Sequence, residues 1–188
     1  APYILRDYRA SAVNFQPFQY IASTHMLRVC THMVVEVETM GAGGSNTITR
    51  AAAPQVIDAS FDSVYKRHFL NYDQDRYTSI DESGSMLIIC ADEFMTEMAP
   101  FVEWKLQSGH TVEMQPLSAI GTNAAAIQAY VEDYYITPGL TYLLLVGDAE
   151  QMPSLSAAGG ASDPGYAFLT GGDYYPEIFV GRFSGSTS

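Results

Sequence analysis

The chain has 188 residues, 47% of them hydrophobic and 16% charged, with a formal net charge of −12. This composition describes a globular chain rather than a disordered one, and no apolar run reaches the roughly 18 residues of a membrane-spanning helix. The charge is one-sided: residues 1–76 carry seven basic and seven acidic side chains, whereas 77–188 carry only Lys105 and Arg182 against fourteen acids.

That step divides the chain into two units, 1–76 and 77–188. The acidic unit repels nucleic-acid phosphates and favours cations. Residues Ala1 to Arg6 lack the charged and apolar regions of a signal peptide. Cys30 and Cys90 allow at most one disulfide, and both read as small core residues in strands.

Residues 1–40 read as β. Tyr3 to Tyr8 is strand-like, Ala12 to Tyr20 alternates apolar and polar, and Met26 to Glu38 continues the alternation. Pro17 confines its strand to an edge or a bulge. The Gly-rich stretch 41–46 is a turn or a flexible loop, and this part reads as an antiparallel β unit that is incomplete by itself. Ser60 to Asn71 predicts a short helix with Phe61, Val64, Tyr65 and Phe69 on one face and Ser60 as its cap. His68 lies beside that face with no second His or Cys at ligand spacing, and Asn71 to Arg76 is polar and exposed.

From Tyr77 strand and helix alternate, the signature of a parallel α/β sheet. Met86 to Cys90 is the first strand, and Asp92 caps a helix to about Gln107 that Pro100 kinks or restarts near its first turn and Ser108-Gly109 stops. Thr111 to Met114 is the second strand, and Thr122-Asn123 caps a helix from Ala124 to about Tyr135. Tyr142 to Val146, five apolar residues between turn signals, suits a strand buried on both faces. Gly147-Asp148 ends it, a long loop follows, and after the acidic turn Thr170 to Glu177 comes a last strand, Ile178 to Arg182.

The stretch Leu140 to Ser184 resembles the gingipain-type cysteine peptidases, peptidase family C25. The resemblance is carried by Leu144 to Asp148 (LLVGD), Ser162-Asp163 with Tyr166, Gly171, Asp173, Tyr175 and Glu177 in one turn, and Gly181 to Ser184 (GRFS). Tyr77 to Asp81 resembles the start of the mature chain in the arginine-specific members, Phe101 to Lys105 matches a catalytic-domain helix, and Tyr3 to Arg9 and Met26 to Thr31 resemble the end of the prodomain.

The resemblance implies half of a caspase-like three-layer α/β sandwich with a mostly parallel sheet, preceded by an antiparallel β prodomain segment. It implies a secreted or cell-surface cysteine endopeptidase whose maturation cut falls at Arg76–Tyr77. The family's dyad is a His in a Gly-His-Gly segment and a downstream Cys, both in a second subdomain. Here the histidines are His25, His32, His68 and His110, there is no Gly-His-Gly, and no Cys follows Cys90. No catalytic residue is therefore assigned, and the implied partners are that second subdomain and, in the full enzyme, protein or peptide substrates. A Cys90–His110 pair is excluded because the two fall at opposite edges of a parallel sheet.

The resemblance also implies a structural calcium ion held by the side chains of Asp148, Asp173 and Glu177 and the carbonyls of Thr170 and Tyr175, with Gly172 where relatives often have Asn. The alternative function is a non-catalytic calcium-binding or partner-binding α/β module. A flavodoxin-like domain is disfavoured, since Ala91-Asp92-Glu93 after the first strand would repel phosphate.

Overall fold

The computed structural model describes residues 1–38, 41, 43–49, 56–73, 78–81, 84–137, 139–157 and 159–185. The N-terminal unit begins with the hairpin β1 (Tyr3–Leu5) and β2 (Tyr8–Ala10), continues through the hairpin β3 (Phe18–Ile21) and β4 (Met26–Val29), and reaches β5 (Val56–Asp58) and α1 (Ala59–His68). β6 (Thr78–Ile80) pairs in parallel with β5. The sheet unit follows: β7 (Met86–Cys90), α2 (Met95–Gln107), β8 (Val112–Pro116), the short α3 (Leu117–Ile120), α4 (Ala124–Ile136) and β9 (Tyr142–Val146). A small hairpin, β10 (Leu155–Ala157) and β11 (Gly160–Ser162), precedes the last strand, β12 (Phe179–Phe183).

Four strands form one sheet in the order β12-β9-β7-β8, and every pairing is parallel. The apolar runs explain the order. β7 and β9 are buried along nearly their whole length, so they take the centre, while the more exposed β8 and β12 take the edges. Successive side chains alternate between two cores. Leu87, Ile89, Leu143 and Leu145 meet Ile127, Val131 and Tyr135 of α4 on one face. Met86, Ile88, Cys90, Leu144 and Val146 meet Phe94 and Met98 at the start of α2 on the other. The result is helix, sheet, helix, with about 1.5–3 kcal/mol gained for each large apolar side chain removed from water.

Helix signals mostly act where the sequence places them. The Asn123 carboxamide accepts from the Ala126 amide, and α2 runs through Pro100 to end at Ser108-Gly109. Two caps differ from expectation. Asp58, not Ser60, caps α1 by accepting from the amides of Ser60 and Phe61. Asp92 opens a 3-10 turn without capping it, and its carboxylate instead accepts from the Ser118 amide and hydroxyl. A side chain 26 residues away outcompetes the local turn.

The N-terminal unit departs further. Tyr3 to Tyr8 is no single strand, because the chain reverses at Arg6-Asp7 with Arg6 at φ 49. Residues 11–17 and 30–38 carry no strand, although their alternation predicts one. Cys30 is exposed and only Cys90 is buried, so the core reading holds for one cysteine alone. The physical reason is that, among the described residues, β3 and β4 pair only with each other, leaving Phe18, Tyr20, Met26, Leu27 and Val29 exposed. Alternation describes a face, and among the described residues nothing is packed on this one. The unit's own core is small: Leu5, Ile57, Phe61 and Tyr65, ringed by Tyr3, Tyr8, Phe69, Tyr72 and the Tyr175 side chain.

Candidate functional site

The two edges of the parallel sheet carry separate constellations. At the carboxyl edge β9 stops at Gly147, whose φ of 129 suits glycine and where an added Cβ would lie 3.3 Å from that of Ala91. Asp148 follows, exposed, with its carboxylate accepting from the Ala149 amide. Beside it Arg182 of β12 uses its whole fork: Nε and Nη2 donate to the two oxygens of Asp163, Nη1 to the carbonyls of Gly147 and Met152, and Nη2 also to Ser154 Oγ. This network fixes the 147–163 loop onto the edge. Its charge-assisted bonds hold the Asp163 carboxyl below the usual carboxylate range.

Cys90 also ends at this edge, inside the core. Burial, with Asp92 and Glu97 adding to it, pushes its thiol up to about 11. A thiol raised in this way is mostly protonated at neutral pH and is a poor nucleophile. His110 stands at the other edge, before β8, with its ring 6.0 Å from that of Tyr142 at the start of β9. The register pairs Met86 with Val112 and Cys90 with Pro116, so a strand length of about 16 Å separates the two groups. They cannot form a dyad.

The amino edge gathers the acidic turn. Glu177 is fully buried, and its carboxylate accepts from the Leu169 amide, the Thr170 amide and Thr170 Oγ1. Burial raises its pKa, and the charge of nearby Asp173 adds to the rise. Asp173 accepts from the Tyr175 amide within the turn, and from the Ile4 amide at 2.8 Å and Asn46 Nδ2 at 3.0 Å across the units. Asn46 Oδ1 in return accepts from the Gly172 amide. Tyr3 stacks on Tyr175 with ring centroids 3.9 Å apart, and its hydroxyl is 2.9 Å from His68 Nε2.

The resemblance implies five calcium ligands. Thr170, Asp173, Tyr175 and Glu177 share the amino-edge turn, but parallel pairing of β9 with β12 puts Asp148 at the carboxyl edge. The oxygens of Asp173 and Glu177 already accept from amides and side chains, and among the described residues no three His, Cys, Asp or Glu groups are placed to hold a metal. Arg76 and Tyr77 lie outside the described residues. Arg6 and Asn46 were not singled out by the sequence; Asp163 and Arg182 stood there as motif residues, Arg182 also as one of two cations among fourteen acids, but their pairing was not foreseen.

A family model for a C25 propeptide matches residues 1–80, and the model for Peptidase family C25 matches 79–188. The chain belongs to peptidase family C25. Gingipain R2 of Porphyromonas gingivalis is 39% identical over 189 residues, covering 97% of this chain and 25% of that protein. Lys-gingipain of the same organism is 26% identical over 198 residues, covering 97% of this chain and 11% of its own length. Among solved structures, the Arg-specific cysteine proteinase gingipain R superposes with a TM-score of 0.54 at 37% identity, covering 59% of this chain and 27% of that one. The complex of Porphyromonas gingivalis RgpB pro- and mature domains gives a TM-score of 0.53, also at 37% identity, over 55% of this chain and 26% of that one. The C25 chain thus spans at most about a quarter of the curated relatives it matches, and its propeptide and peptidase parts meet at residues 79–80. Among the described residues no helix is long and apolar enough to cross a membrane.

Proposed function

We propose that this chain is the propeptide end and the N-terminal catalytic subdomain of a secreted gingipain-like cysteine endopeptidase, and that it hydrolyses nothing on its own. The carrying observation is the placement of Cys90 and His110 at opposite edges of one sheet, with the thiol buried and its pKa raised. In this reading the His and Cys that cleave peptides come from a second subdomain. This part supplies the scaffold, and the propeptide unit is released by a cut at Arg76–Tyr77.

Calcium belongs to the same reading, as a property of the Thr170–Glu177 turn without Asp148. Supporting it are two neighbouring carboxylates, one of which raises the pKa of the other, and the fact that Asp173 is occupied by donors from the propeptide unit. Once those donors withdraw, an oxygen-binding cation can take their place, in a structural role.

The test is turnover of fluorogenic Arg and Lys peptides by the chain under reducing conditions. No turnover is expected. Thiol-dependent hydrolysis that Cys90→Ala abolishes would overturn the proposal.

A further inference from the structure

The tip of the first hairpin carries an unusual side chain. Arg6 sits at φ 49, a left-handed conformation that costs a non-glycine residue energy and persists only where surroundings enforce it. From that tip the guanidinium leaves the propeptide unit and enters the amino edge of the C25 sheet. Nη1 donates to the carbonyls of Leu140 at 2.5 Å and Glu177 at 2.8 Å, and Nη2 lies 3.5 Å from Thr141 Oγ1. These carbonyls belong to the residues just before the neighbouring strands β9 and β12, so one nitrogen ties both strand entries together.

Two aromatic rings also lie against the guanidinium. Its carbon lies 4.4 Å from the centre of the Phe61 ring and 5.5 Å from that of Tyr135. Asp7 and Asp58 stand 3.7 and 4.0 Å from its nitrogens, and only 13% of the Arg6 side chain is exposed. Converging carbonyls, a hydroxyl and an aromatic wall suit a planar, multiply donating cation. A lysine ammonium could reach one carbonyl but could neither fork nor stack.

We propose that the amino edge of the sheet is a guanidinium socket, and that the Arg6 side chain, presented on its tight turn, is the key that holds the propeptide unit on the catalytic unit after the chain between them is cut. This rests on reading residues 1–76 as a propeptide unit that cleavage separates. Asn46 and the Ile4 amide, both on Asp173, and the stack of Tyr3 on Tyr175 add further contacts at the same edge. The key and its walls come from both units: Phe61 and Asp58 from the propeptide side, Tyr135, Leu140, Thr141 and Glu177 from the other.

The test uses the full chain with a specific protease site inserted between residues 76 and 77. After cutting, the two parts are followed by size-exclusion chromatography across a dilution series. Wild-type parts are expected to co-elute. Arg6→Ala parts should dissociate at concentrations on the order of a hundredfold higher, and Arg6→Lys parts should lie between. Millimolar guanidinium added to cut Arg6→Ala should restore co-elution, which a loss of general stability would not allow. The uncut variants are checked by thermal melting, and Arg6→Lys carries the test if Arg6→Ala does not fold. Wild-type parts that separate on cutting, or an Arg6 variant that holds as tightly as wild type, would overturn the socket. The peptidase reading is judged separately, by the turnover assay above.

Discussion

Arg182 and Asp163 meet side by side, with Nε and Nη2 of the guanidinium each 2.6 Å from one oxygen of the carboxylate. The pair lies 19 residues apart in sequence and closes the loop that leaves the central strand. Arg182→Ala would strand Asp163 and free the Gly147 and Met152 carbonyls at one stroke. The expected loss is about 3–5 kcal/mol, read as a lower urea midpoint with an unchanged slope. A loss under about 1 kcal/mol would show the network to be an ordinary surface pair.

Two acids at the two edges should give opposite pH slopes. Asp163 has a lowered native pKa, so its stabilisation is present above the ordinary value of 3.8 and is lost as pH falls through the native value. Glu177 has a raised native pKa, so the native state keeps a proton that the unfolded chain has lost. Stability therefore falls as pH rises from the ordinary 4.5 towards the native value, then levels off. Unfolding free energy measured from pH 3 to 7 should show a shallower low-pH slope in Asp163→Asn, with the lowered Asp62 and Asp92 keeping part of it, and a weaker fall above 4.5 in Glu177→Gln. The same pH profile in both variants would contradict these assignments.

Gly84 is present for space rather than for its dihedral angles. A Cβ there would stand 1.9 Å from Thr141 Oγ1 and 2.4 Å from Thr141 Cβ, at a residue that is itself buried. Gly84→Ala should destabilise by about 1–3 kcal/mol through overpacking, and adding Thr141→Ala should recover part of the loss. Thermal melts of the two single variants and the double variant decide it, and additive losses would rule out the contact.

Limited digestion with an Arg-specific protease should expose Tyr77 as a new N-terminus. Arg67 is protected by comparison, because it sits in α1 with its side chain bonded to Ser63. Edman sequencing or mass spectrometry of the first fragments identifies the cut. Cleavage first at Arg50 or Arg67 would move the boundary.

Calcium should bind after the propeptide unit leaves and not before. The intact chain is expected to melt at the same temperature with and without chelator, since Ile4 and Asn46 hold Asp173. Calorimetric titration of the cut and separated catalytic part should show binding heat that Asp173→Ala removes. No heat at millimolar calcium would leave the turn as a purely hydrogen-bonded one.

The elements of the catalytic part were legible because their signal is local and redundant. The runs Met86–Cys90 and Tyr142–Val146 are apolar at every position, which only a strand covered on both faces can use, and Asn123 and Ser108-Gly109 mark helix ends. Family membership was legible for the same reason, since short motifs recur in order. The alternation in residues 11–17 and 30–38 misled because period two reports a face without reporting whether anything covers it.

What the sequence could not supply is which edge each residue reaches and what it meets there. Asp148 and Glu177 look like partners along the chain, yet parallel pairing of β9 with β12 sends one to the carboxyl edge and the other to the amino edge. Arg6 reads as one residue of a strand-like segment, yet it sits on a turn and meets carbonyls 134 and 171 residues away. Local propensity fixes strands and caps through neighbours a few residues apart. Strand order and direction, which decide those distant encounters, follow from burying both faces of the sheet at once.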